Sequence, residues 1–269
     1  MELKEIAKNI RCDTVRCIGS IGVGHIGGSL SIVDLLTVLY FKQMRVDPND
    51  PKAEGRDRLV VSKGHAGPAV YATLANKGYF PKEELDTLNK NGTKLPSHCD
   101  MNKTPGIDMT AGSLGQGFSC AVGIAIASSI SHDGAYVYAI IGDGESQEGQ
   151  IWEAAMYAAH RGLDNLIAFT DYNKYQIDGT VDEICSLGNL EAKWKAFGFD
   201  TQVIDGHDLD AIDKAIENAK SIKGKPHMII MNTIKGKGVD FVEAKKVGSH
   251  SMSFTPEDVQ KAIEQIRRN

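Results

Sequence analysis

Apolar positions along this 269-residue chain follow two periods, and the switches between them mark the predicted elements. Residues 3–18 repeat apolar side chains at helical spacing, and Gly22-Val23-Gly24 ends that pattern. Ser29 or Ser31 is placed to cap a second helix running through Tyr40, and Asp47-Pro48-Asn49-Asp50-Pro51 then breaks the chain. Short apolar runs at residues 59–61, 135–141, 166–169, 201–204 and 227–233 read as buried strands. Helical patterns fall between them, at about residues 66–77, 81–88 (with Pro81 in the first turn), 116–131, 148–161, 190–197 and 208–221. A last amphipathic helix starts at Thr255-Pro256-Glu257. Residues 91–111 are polar and without period, a loop long enough to suggest function. Strands alternating with helices predict an α/β protein with a mostly parallel sheet covered by helices on both faces.

One strand–helix–strand unit carries most of the chemistry. The run ending at Ile141 meets Gly142-Asp143-Gly144, and the run ending at Phe169 meets Asp171-Tyr172-Asn173. A parallel crossover puts Asp143 and Asn173 together at the carboxyl ends of neighbouring strands, the edge at which open parallel sheets bind ligands. An Asp alone there would repel a diphosphate. With a hard cation between them, a carboxylate, an amide oxygen and a backbone carbonyl fill one side of an octahedron, and phosphate oxygens and water fill the other. The spacing therefore predicts Mg²⁺, or another divalent cation such as Ca²⁺ or Mn²⁺, together with a diphosphate cofactor. Taken alone, Gly142-Asp143-Gly144 would read as an ordinary strand-end turn. Its spacing to the next glycine also fails the dinucleotide fingerprint. Glu148 opens the following helix, where the helix dipole favours a carboxylate.

Composition changes this picture only at its edges. The chain is 42% hydrophobic and 24% charged, ordinary for a globular protein, and is long enough for one large domain over residues 1–269. A net charge of −5 argues against a nucleic-acid partner. Five scattered cysteines without a C-x-x-C pair read as reduced thiols in a cytoplasmic enzyme. No apolar run reaches the length of a membrane span, and the charged first residues lack a signal-peptide core.

Other segments surround the crossover in order: Gly24-His25-Ile26-Gly27-Gly28, Ser62-Lys63-Gly64-His65, Leu95-Pro96-Ser97-His98 and Thr110-Ala111-Gly112-Ser113-Leu114-Gly115-Gln116-Gly117. With Gly142-Asp143-Gly144 and Asn173, they make the chain resemble the thiamine-diphosphate enzymes, and within these the transketolase group. Nearly the whole chain is covered. The resemblance implies the fold of the diphosphate-binding domain, with thiamine diphosphate as cofactor. It implies Asp143, Asn173 and the Tyr175 carbonyl as cation ligands, and Gly112, Ser113 and Leu114 as a loop whose backbone N–H groups meet the diphosphate. His25, His65 and His98 are implied as catalytic groups at the donor end, with His65 at the diphosphate side and His25 and His98 on substrate hydroxyls. Imidazole suits that work because one nitrogen donates while the other accepts. His250 is implied as a residue reaching the cofactor, and Glu148 as a bridge between paired sites. Ser113 and Ile26 stand where the family usually has Pro, and the sequence after His250 departs from the usual one. His207 reads as a turn and helix cap, and Lys235-Gly236-Lys237-Gly238 as either a phosphate-attracting or a solvated loop.

In this family a second domain binds the aminopyrimidine ring. Only about thirty residues follow Lys235-Gly236-Lys237-Gly238, too few for such a domain. The resemblance thus implies the N-terminal subunit of a split transketolase, whose partner is a C-terminal subunit in a heterotetramer of two copies of each. The implied reaction moves a two-carbon ketol unit between sugar phosphates through a thiamine-diphosphate ylid. Three alternatives stand beside it. One is a split transketolase for a specialised sugar phosphate. Another is a related thiamine-diphosphate enzyme such as 1-deoxyxylulose-phosphate synthase or the α chain of a 2-oxo acid dehydrogenase. The last is a cofactor-binding or assembly subunit without catalysis.

Overall fold

The computed structural model describes residues 1–268. Five strands form one parallel sheet: β2 (Arg58–Val61), β3 (Val137–Gly142), β4 (Leu166–Tyr172), β5 (Asp200–Asp205) and β6 (His227–Asn232), in the order β2-β3-β4-β6-β5. Two-residue strands β1 (Val23–Gly24) and β7 (Met252–Ser253) pair antiparallel and tie the segment before His25 to the segment after His250.

The central strands β3, β4 and β6 are apolar on both faces, as strands buried between two helical layers must be, whereas the edge strand β5 is polar and half-exposed. Along β3, Tyr138 and Ile140 face one core while Val137, Ala139 and Ile141 face the other, and β4 divides in the same way. The first core packs against helices Leu3–Gly19, Gly67–Lys77, Leu209–Ser221 and Pro256–Arg268, and the second against Gln116–Ser131, Gly149–His160 and Leu190–Ala196. Among the described residues no helix is long and apolar enough to cross a membrane.

Two expectations need correction. The second helix is interrupted. Ile26–Leu30 is followed by Val33–Val38 and a π-helical turn at Leu39–Gln43, and neither serine caps it. Ser29 instead donates its hydroxyl to the His25 carbonyl, and Ser31 donates to the Asp171 carboxylate. Residues Lys82–Thr87 after Pro81 form a 3₁₀ turn, so no α-helix forms there. The helix after Gly142-Asp143-Gly144 starts as expected, with Glu148 as its N-cap, and a 3₁₀ turn at Gly144–Gln147 before it carries Glu145 into the interior.

The β3–β4 register sets the site. Gly142 pairs with Asp171, so both strands leave the sheet at one level, with Asp143 following one and Asn173 just beyond the other.

Candidate active site

At the carboxyl edge of the sheet lies a cavity of about 380 Å³. It is lined by His25, His65, His98, Gly112, Leu114, Gly142, Asp143, Gly144, Glu148, Asn173, Tyr175 and His250, so all but one of the residues that the resemblance assigns to cofactor, cation or substrate share one space. Ser113 is the exception. It is exposed beside Gly112 and Leu114 and does not line the cavity.

Glycine lets the walls approach closely. A Cβ on Gly64 would sit 2.4 Å from the Ala111 carbonyl oxygen, and one on Gly117 would sit 2.7 Å from Ser62 Cα. The Ser62-to-His65 turn is thereby pressed against the 110–117 loop, as only glycine allows. Glu145 locks the same junction from inside. One carboxylate oxygen accepts the Gly115 N–H at 2.8 Å and the Ser62 hydroxyl, while the other accepts the Gly142 N–H at 2.9 Å. This buried acid holds three cavity-forming turns at once, and burial pushes its pKa up.

Asp143 is 2% exposed, and its oxygens accept the backbone N–H groups of Gly144 (2.7 Å) and Lys174. Among the described residues it has no ion-pair partner. Burial, and then the nearby Asp171 charge, push its pKa up to about 7. A buried acid of this kind, opening onto a cavity, fits a cation. Asn173 offers its side-chain oxygen and Tyr175 its carbonyl, so the donors are all oxygens, the set that suits a hard divalent ion. Among the described residues, no three His, Cys, Asp or Glu side chains cluster to hold a metal. A divalent ion held by these oxygens would need further ligands, which a diphosphate or water could supply.

Four imidazoles line the same cavity as this acid. His25 has its ring centre 5.5 Å from that of His65, 5.7 Å from His98 and 5.3 Å from His250, and His65 and His250 are 5.1 Å apart. Burial lowers the pKa of His25, with the neighbouring His98 and Lys235 adding to the effect. Burial followed by Lys63 holds His65 well below the usual range, and burial followed by Lys235 lowers His250 to about 4. All three shifts favour the neutral ring, which carries one donor and one acceptor nitrogen.

Two lysines also line the cavity. Sequence reasoning gave Lys63 no role of its own and left Lys235 open between phosphate and solvent. Lys63 is buried and pairs with Asp171 at 2.5 Å. Lys235 is 3% exposed and donates to the Tyr175 carbonyl at 3.0 Å, and burial followed by Lys63 lowers its pKa to about 8. The available signal was position: both follow strand ends at the ligand-binding edge. His207 lies outside the cavity. It accepts the Ile234 N–H at Nε2 (2.8 Å), so Nδ1 is its donor to Asp34 at 2.9 Å, while Asp208 caps the next helix.

Residues 3–267 match the family described as the thiamine diphosphate binding domain of transketolase. The chain is 59% identical over 268 residues to the 6-deoxy-6-sulfo-D-fructose transketolase subunit SqwG of Clostridium sp. (strain MSTE9), covering 100% of this chain and 97% of that one. It is 41% identical over 243 residues to an apulose-4-phosphate transketolase subunit of Phocaeicola vulgatus, covering 90% and 86%. Among solved structures it resembles the transketolase from Leishmania mexicana, with a TM-score of 0.93 at 30% identity, covering 100% of this chain and 42% of that chain. The transketolase from Campylobacter jejuni gives 0.92 at 33% identity, with 99% and 43% covered. The chain thus spans about two-fifths of those transketolases but nearly the full length of the two relatives named as subunits. From its fold, its cavity and these relatives, the chain belongs to the transketolase family and corresponds to the part that binds thiamine diphosphate.

Proposed function

We propose that this chain is the N-terminal subunit of a two-chain transketolase, with residues 1–269 acting as one diphosphate-binding domain. Asp143, Asn173 and the Tyr175 carbonyl would hold Mg²⁺ or a similar divalent ion. The backbone at Gly112 to Leu114, His65 and Lys235 would hold the diphosphate. Thiamine diphosphate, when bound, supplies the carbon nucleophile and the electron sink for breaking and making the C–C bond. The observation carrying this reading is the buried Asp143 carboxylate, which has no ion-pair partner among the described residues and shares one cavity with four histidines.

His25 and His98 are placed to bind donor hydroxyls and to move a proton at the hydroxyl released or reformed. Burial lowers the His25 pKa, which keeps its ring in the neutral form that a general base starts from. His250 and His65 would face the cofactor side, and Glu148, which lines the cavity and is exposed, would meet a second subunit. The aminopyrimidine end of the cofactor would be covered by a C-terminal subunit, in an assembly of two copies of each chain. Such an enzyme would work in the cytoplasm.

For the substrate, 59% identity to a 6-deoxy-6-sulfo-D-fructose transketolase subunit favours a sulfonated ketose donor over common sugar phosphates. The test is co-expression with a transketolase C-terminal subunit, followed by ketol-transfer assays with 6-deoxy-6-sulfo-D-fructose, fructose 6-phosphate and xylulose 5-phosphate as donors. The reading predicts activity that requires both chains, thiamine diphosphate and Mg²⁺, with the sulfonated donor preferred. Transfer by this chain alone would contradict the two-chain reading. Preference for a phosphate donor would retain the enzyme and reject the specialised substrate.

A further inference from the structure

Asp171 ends no wall of the cavity, yet it is the most heavily bonded acid near it. It is fully buried at the end of β4, two residues before Asn173. One carboxylate oxygen accepts from the Ser31 hydroxyl at 2.7 Å, the Lys63 ammonium at 2.5 Å and Asn173 Nδ2 at 3.0 Å, and the other accepts from the Thr233 hydroxyl. Lys63 also donates to the Gly28 carbonyl at 2.9 Å. The carboxylate is thereby fixed by groups from four separate segments.

This arrangement has a consequence for Asn173. An ionised carboxylate only accepts hydrogen bonds, whereas a side-chain amide donates at one end and accepts at the other. The amide facing Asp171 must therefore turn its NH₂ toward the acid and its oxygen away. That oxygen accepts the Tyr175 N–H at 3.1 Å and keeps a second lone pair, while the residue itself lines the cavity. An amide binds a hard cation only through oxygen. Turned the other way, it would present NH₂ to the ion.

We propose that Asp171, held in place by Lys63, is a positioning residue that fixes the Asn173 amide with its oxygen toward the cation site. Lys63 supplies the counter-charge that lets the carboxylate stay ionised in the interior, since a lone buried charge is costly. Second-layer partners of this kind orient ligands in other metal sites, and their loss typically costs about 10–100-fold in metal affinity. The inference rests on the reading of Asn173 as a cation ligand.

The test is a Mn²⁺ titration followed by the free-ion electron paramagnetic resonance signal, with thiamine diphosphate at fixed concentration and the full chain. Lys63→Met/Asp171→Leu removes the acid and its counter-ion together, so no buried charge is left unpaired. We expect roughly 10–100-fold weaker Mn²⁺ binding. In an Asn173→Ala background the same pair of changes should cost nothing further, a non-additivity that a purely structural defect would not produce. If the leucine variant does not fold, Lys63→Met/Asp171→Asn serves the same cycle. It keeps one acceptor oxygen, so a smaller loss with the same non-additivity is expected. Unchanged Mn²⁺ affinity, or a loss that adds in full to that of Asn173→Ala, overturns the inference while leaving the ligand reading intact. If Asn173→Ala itself leaves Mn²⁺ affinity unchanged, the ligand reading fails and the inference fails with it.

Discussion

Two clefts open at the carboxyl edge of this sheet, and the larger one is the less informative. A cleft of about 960 Å³ runs between the first helix, the last helix and the segment around His207, against about 380 Å³ for the cavity of Asp143. Both contain a buried aspartate and a histidine. In the wide cleft Asp34 takes Arg11 and His207 on one oxygen, His207 is also bonded to the Ile234 N–H, and Asp208 caps a helix. Its acid and imidazole are occupied in joining segments, although the Arg11 Nε is left without a partner. In the small cavity Asp143 accepts only backbone N–H groups, and three histidines shifted toward the neutral form keep a free donor or acceptor. Spare bonding capacity, more than volume, separates a binding site from a structural seam.

The largest effect expected from this contrast comes from exchanging the two aspartates. Asp143→Ala should weaken Mg²⁺-dependent thiamine diphosphate binding by more than the roughly 10–100-fold typical of outer-layer changes, with little loss of stability. Asp34→Ala should do the reverse. Breaking the buried Arg11 pair costs about 3–5 kcal/mol of stability, and the fraction still folded should bind cofactor normally. Calorimetric titration beside thermal unfolding checks both. Equal effects on binding would dissolve the distinction between the clefts.

Lys235→Met tests the electrostatics of the small cavity alone. A hydrogen bond to a charged group contributes about 1.5–3 kcal/mol, so inorganic diphosphate with Mg²⁺ should bind roughly 10–100-fold more weakly. Unchanged affinity would place this lysine outside the diphosphate site.

The smallest expected effect is on pH dependence. The folded-state pKa of His250, about 4, lies below the ordinary 6.5. The unfolded chain therefore binds the extra proton first, and stability falls as pH drops from about 6.5 toward 4. Its neighbour Lys235 contributes to that depression, so Lys235→Met should raise the His250 midpoint, as read by imidazole proton NMR. An unmoved midpoint would remove Lys235 from its causes.

How far the sequence foretold these features depends on what each residue contacts. Asp143 and Asn173 were legible because glycine and aspartate at the ends of two apolar runs fall at a strand edge whatever the rest of the fold does. The histidines were legible only as a set of matching segments. The contacts of Lys63, Asp171 and Lys235 were not, because a lysine after a strand reads as solvated until tertiary packing shows what covers it. Ser31 looked like a helix cap for the same reason, as its partner Asp171 lies 140 residues away. Glu145 was missed because nothing local signals that the turn after Asp143 folds inward.

The most direct test of the central claim is a crystal structure of the chain with thiamine diphosphate and Mn²⁺, with the metal located by its anomalous scattering. The account predicts one peak within coordination distance of an Asp143 carboxylate oxygen, the Asn173 side-chain oxygen and the Tyr175 carbonyl, with diphosphate density against Gly112 to Leu114. A peak or diphosphate at the Arg11–Asp34–His207 cleft, or a metal that ignores Asp143, would contradict it.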